Sequence, residues 1–224
     1  MNQEEKLKPL HGFTIAEEIS HTATHAVGGY FGAAAIALMI MFAVQSNTQI
    51  AWKAVSASIY GASIILLYTV SSVYHAITHV KVKQILNICD HIAIYFLIAG
   101  SYTPFCLVTL RPDYPGIAWT VFGIVWGLTL LGTVFKVYAT GKFPILSTGI
   151  YIGMGWIAIF ILGPLVKTIP VTGLVFLVVG GVLYTLGTIF YQWKFIPFNH
   201  TIWHLFVLAG TICQFFCVLF YVMM

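Results

Sequence analysis

The chain has 224 residues, of which 60% are hydrophobic and only 7% charged. A soluble domain carries about 25% charged residues, so this composition excludes a protein wrapped in water and points to an integral membrane protein. The formal net charge of +4 is modest and spread along the chain, which gives no reason to expect a nucleic-acid partner. Cys89, Cys106, Cys213 and Cys217 form no CxxC pair. Cys213 and Cys217 share one helix face in an apolar run and read as packing residues.

Residues 1–20 are polar and include Glu4, Glu5, Lys6, Lys8, Glu17 and Glu18. They read as a soluble or interfacial start with no secretory signal, so the first span is expected to act as its own insertion signal. A helical span needs about 20 apolar residues. Seven stretches qualify, at about 23–44, 52–75, 88–110, 116–137, 144–163, 171–191 and 200–222, joined by short turn-like connections. The expected fold is all-α, a single seven-helix transmembrane domain covering residues 1–224.

The basic residues orient it. Lys6, Lys8, Lys81, Lys83, Lys136, Lys142 and Lys194 fall on one side, and Lys53, Arg111 and Lys167 on the other. The richer side is expected in the cytoplasm, which puts the N-terminus there and the C-terminus outside.

On that map His75 ends the second span, Asp90 begins the third, and His200 and His204 begin the seventh. Three helices thus bring three imidazoles and a carboxylate to one membrane level. His200 and His204, four residues apart, lie on one helix face and can reach one metal ion. Asp90 is the sole acidic residue between Glu18 and Asp113. A carboxylate near mid-span costs about 2.5–3.5 kcal/mol on insertion scales, so Asp90 is either a helix cap or part of a site. Ser71, one turn before His75, either bonds the carbonyl one turn back or orients the His75 ring.

Glu17, Glu18, His21 and His25 form a rival group in which His21 and His25 repeat the four-residue spacing; these are expected to sit in the headgroup zone. His79 and His91, beside Lys81 and Lys83, are expected to be solvated. Gly149 and Gly153 make a small-residue packing face in the fifth span, and Gly100, Ser101 and Pro104 are expected to bend the third.

The stretches Glu17-Glu18 through Thr24-His25, Ser71 through His75, Asp90-His91 through Pro104, and His200-x-x-x-His204 resemble the hemolysin III branch of the progestin and adipoQ receptor family. That family is itself similar to the alkaline ceramidases. The resemblance spans nearly the whole chain and implies seven helices, a cytoplasmic N-terminus, and zinc held by His75, His200 and His204, with Asp90 and Ser71 near the metal. It departs at His21, where the family pattern has Asn. Three imidazoles leave the fourth tetrahedral position of zinc open, where a bound water has its pKa lowered to about 7. With Asp90 as base and Ser71 as hydrogen-bond donor, the implied chemistry is cleavage of a lipid amide or ester at the cytoplasmic leaflet. The alternatives are a pore-forming or membrane-perturbing hemolysin and a non-catalytic, zinc-stabilised membrane regulator. A chain apolar nearly throughout does not suit a secreted cytolysin.

Overall fold

The computed structural model describes residues 12–224. Seven of its helices are long and apolar enough to cross a membrane: α1 (Ile15–Gln45), α2 (Ile50–Ala76), α3 (Val80–Leu110), α4 (Pro115–Ala139), α5 (Pro144–Thr168), α6 (Val171–Gln192) and α7 (Asn199–Met223). There is no strand among the described residues. Glu4, Glu5, Lys6 and Lys8 lie outside them.

Two helices begin well before their apolar stretches. At α1 the cause is a capping box: the Glu17 N–H donates to Thr14 Oγ1 (3.3 Å), and the Thr14 N–H donates to the Glu17 carboxylate (2.8 Å). Glu17, Glu18 and His21 are therefore helical residues of α1. At α3 the His79 ring accepts from the Val82 N–H (3.5 Å), and Lys83 anchors the first turn. Lys83 is buried, and its ammonium donates to the carbonyls of Tyr74 (3.1 Å), His75 (3.3 Å) and Ile77 (3.2 Å). Those are terminal carbonyls of α2, orphaned by helix geometry and favourable to a cation. An α3 that starts at Val80 also carries Asp90 into the helix interior, so Asp90 caps nothing.

The expected bend in α3 takes the form of a π-helical stretch, Phe105–Leu110, directly after Pro104. Proline withholds one ladder hydrogen bond, and a wider turn accommodates the loss. α5 is interrupted by a 3-10 segment, Trp156–Ile161. There the Tyr102 hydroxyl of α3 donates to Gly155 O (2.7 Å) and accepts from the Ala158 N–H (2.9 Å). This satisfies backbone groups that have no water to turn to inside a membrane.

Close helix approach depends on glycines other than the expected pair. A Cβ at Gly28 would run into the Tyr68 ring, and one at Gly187 would meet Trp203 and Phe206. Gly149 and Gly153 are exposed, with nothing within 4 Å of an added Cβ. α5 turns Ser147, Thr148 and Met154 inward instead, so its small-residue face looks outward.

The helix order puts the start of α1, the end of α2, the start of α3 and the start of α7 at one end of the bundle, called here the N-terminal end. Lys81, Lys83, Lys136, Lys142 and Lys194 belong to that end, and Lys53, Arg111 and Lys167 to the other. A reporter joined after Met224 should read out on the external face, and one inserted at Gly141, in the exposed turn after α4, in the cytoplasm. Both reporters on one side would overturn this orientation.

Candidate metal centre

α7 is placed by α1. Phe198, the left-handed residue that precedes α7 (φ 55°), donates its N–H to Glu17 Oε1 (3.3 Å). One turn along, the Ser20 and Thr201 hydroxyls meet at 2.6 Å. A turn further, Thr24 Oγ1 lies 3.2 Å from His204 Nδ1. α2 is tied to the same helix through Ser72 Oγ, which donates to Thr22 O (3.0 Å).

These ties bring His75, His200 and His204 together: one ring nitrogen from each lies within 4.8 Å of the other two. Two of the rings are fixed in tautomer by their other nitrogen. His75 Nδ1 is 2.7 Å from Glu18 Oε2. A carboxylate only accepts, so Nδ1 carries the proton and the Nε2 lone pair is free. Thr24 Oγ1 gives its proton to the Ser20 carbonyl (2.8 Å) and accepts from His204 Nδ1–H, leaving Nε2 of His204 free in the same way. His75 Nε2 and His200 Nδ1 are buried without a hydrogen-bond partner. Buried polar atoms are rarely left so, and neutral imidazole nitrogens converging within ligand distance suit a transition metal such as zinc.

Glu18 is the residue that sequence reasoning left without a role. It orients His75, the place expected of Ser71, and its other oxygen pairs with Lys83 at 3.0 Å. A carboxylate on the far nitrogen of a ligating imidazole is a recurring feature of zinc sites. Its signal in the sequence was an acidic residue one turn ahead of His21 at the mouth of an apolar helix. Ser71 is buried, and its hydroxyl lies beside the Asp90 carboxyl. Asp90 belongs to neither group of ligand-distance atoms among the described residues.

His21 and His25 are buried, 0% and 4% exposed, rather than in a headgroup zone. The early start of α1 turns this face of the helix into the cluster. His25 stacks on His204 with ring centres 3.5 Å apart. His91 is half-buried and bonds Asn87 O (2.7 Å), whereas His79 is exposed as expected.

The cluster opens into a cavity of ≈ 660 Å³, within the range of ordinary ligand pockets. His200, His204, His25, Ser71 and Asp90 line its polar part, and Leu97, Ile98, Leu165, Leu177 and Val207 are among the apolar residues of its wall. Lys194, over the Tyr191 ring at 4.7 Å, also lines the cavity.

A seven-helix membrane bundle with a histidine cluster at one end is the class that fold and site define. Residues 13–215 match the model of the Haemolysin-III related family, and the chain belongs to that family. It is 48% identical to the Hemolysin-3 homolog of Bacillus subtilis (strain 168) over 93% of this chain and 96% of that one. It is 43% identical to Hemolysin-3 of Bacillus cereus over 98% and 97%. The human Monocyte to macrophage differentiation factor is 30% identical over 75% of this chain and 70% of its own. These relatives and the seven apolar helices make the chain a multi-pass protein of the bacterial plasma membrane.

Two outcomes follow for metal content measured by elemental analysis. His75→Ala, His200→Ala and His204→Ala should each lose most of the bound metal. Glu18→Gln should keep it but weaken affinity by about tenfold or more, as losses of such supporting partners do; an affinity equal to wild type would dismiss Glu18 as a partner of the site.

Proposed function

We propose that this protein is a zinc-dependent hydrolase acting on a lipid amide or ester at the cytoplasmic leaflet. The observation that carries the reading is the cluster of His75, His200 and His204 opening into a largely apolar cavity that also holds Asp90 and Ser71. His75, His200 and His204 would hold the zinc, which when bound supplies Lewis acidity to a water and to a carbonyl oxygen. The apolar wall takes the lipid chain and brings its polar linkage to the histidine end. Asp90, outside the ligand group, removes a proton from the attacking water as its oxygen bonds to the carbonyl carbon. As the C–N or C–O bond breaks, that proton passes to the leaving nitrogen or oxygen, giving a fatty acid and an amine or alcohol. Ser71, whose hydroxyl lies beside the Asp90 carboxyl, donates a hydrogen bond to the carbonyl oxygen.

The name of the Bacillus cereus relative, Hemolysin-3, favours membrane perturbation as the second reading. One set of assays separates the two. Purified wild-type protein should release product from labelled ceramides or phospholipids and lose that activity to a chelator. Asp90→Asn keeps the side-chain shape, so it should retain its zinc and lose activity by about 10²-fold or more. Zinc loss from Asp90→Asn, or wild-type inactivity on every lipid amide and ester tried, moves the weight to a non-catalytic regulator. Chelator-insensitive dye leakage from vesicles moves it to a pore.

A further inference from the structure

One stripe of α7 shows how far the cavity runs from the histidines. His200, His204, Val207 and Gln214 all line it, and their spacing keeps them on a single helix face. Gln214 stands ten residues past His204, which is about 15 Å along the axis and deep in the span. Gln214 is only 8% exposed. Among the described residues its side chain makes one hydrogen bond, from Nε2 to Leu177 O of α6 (3.3 Å). The amide oxygen is left without a donor, and buried polar atoms are rarely left so.

The packing of α6 against α7 fixes what this part of the wall presents. The two helices close on each other at Gly180 and Gly210. A Cβ added at Gly180 would stand 3.1 Å from Gln214 Cγ, and one at Gly210 would stand 3.0 Å from the Tyr184 ring. Thr211 gives its hydroxyl proton to Val207 O (2.9 Å), so the hydroxyls of Tyr68 (2.7 Å) and Tyr184 (2.8 Å) both donate to Thr211 Oγ1. Tyr184 also lines the cavity, and with its proton spent its oxygen can only accept. Gln214 and Tyr184 thus bring two acceptors to one helix crossing. The tyrosine and threonine contacts hold the helices together, but that structural role makes no use of the Gln214 oxygen.

We infer that this crossing recognises a hydroxyl group carried partway along the acyl chain of the lipid. The inference rests on the hydrolase reading for the placement of the lipid, with its linkage at the histidines and its chain along the α7 stripe. An extended chain advances about 1.25 Å for each carbon–carbon bond of about 1.5 Å. Thr211 and Gln214, about 10 and 15 Å past His204, are therefore met about eight to twelve bonds from the linkage. A hydroxyl there donates to the Gln214 amide oxygen. A plain methylene leaves that oxygen stripped of water and unpaired, which costs free energy, and a ketone brings no proton. Discrimination of this kind comes from the polar group left unpaired in the wrong complex.

Binding of free fatty acids tests this without calling on hydrolysis. Purified full-length protein, read by displacement of a fluorescent fatty acid, should bind octadecanoic acid hydroxylated at carbon ten about tenfold more tightly than octadecanoic acid itself. The acid with a ketone at carbon ten, or with its hydroxyl at carbon five, should bind no better than the plain acid. Gln214→Leu should erase the preference while still binding octadecanoic acid. Equal affinity of the wild type for the plain acid and the acid hydroxylated at carbon ten overturns the inference, as does a preference that survives Gln214→Leu. Should Gln214→Leu fail to fold, the wild-type comparison of hydroxyls at carbons ten and five decides alone, and equal affinities overturn it. A preference without hydrolysis of any lipid keeps this site and drops the hydrolase reading, whereas hydrolysis without the preference does the reverse.

Discussion

One carboxylate holds the site end of this bundle together. Glu18 on α1 takes His75 of α2 on one oxygen and Lys83 of α3 on the other. Lys83 in turn draws in terminal carbonyls of α2. Away from water, two opposite charges must satisfy one another and their remaining hydrogen bonds, or the desolvation cost goes uncompensated. Here the ammonium has three carbonyls as well as Glu18, and the carboxylate has an imidazole as well as Lys83. The geometry of three helices is thereby locked around the His75 ring.

The fourth helix of the site is set differently, by a ladder of short polar side chains. Glu17, Ser20 and Thr24 recur along α1 at three- and four-residue intervals and meet Phe198, Thr201 and His204 on α7. Hydrogen bonds between spanning helices are individually modest. These fix a register, however, and register decides which nitrogen of His204 is left free. Packing and tautomer are specified by the same contact.

The number and order of the helices were legible in hydropathy, because apolar stretches of span length have few other uses. The starts of α1 and α3 were not. Glu17, Glu18 and Lys83 lower the local hydropathy, and only their partners on other helices make them helix interior. The histidines of α2 and α7 were legible through spacing and topology, since both features survive without coordinates. Glu18 was not, because its meaning depends on a residue 57 positions away. Lys83 was counted as a surface charge that orients the chain, and its burial beneath α2 could not be read from a tally of basic residues. The choice between a cap and a site role for Asp90 stays open on hydropathy alone, because the apolar stretch begins at residue 88, and closes once α3 begins at Val80.

The distribution of the site along the chain bears on when it can exist. His21 and His75 come from the first two helices, whereas His200 and His204 come from the last. No residue of α4, α5 or α6 belongs to the ligand-distance groups. Synthesis proceeds from the N-terminus, so the early helices wait in the bilayer through three intervening spans before α7 arrives. A chain that stops before α7 has His75 but lacks His200 and His204. The histidine cluster therefore assembles only once α7 has joined the first two helices.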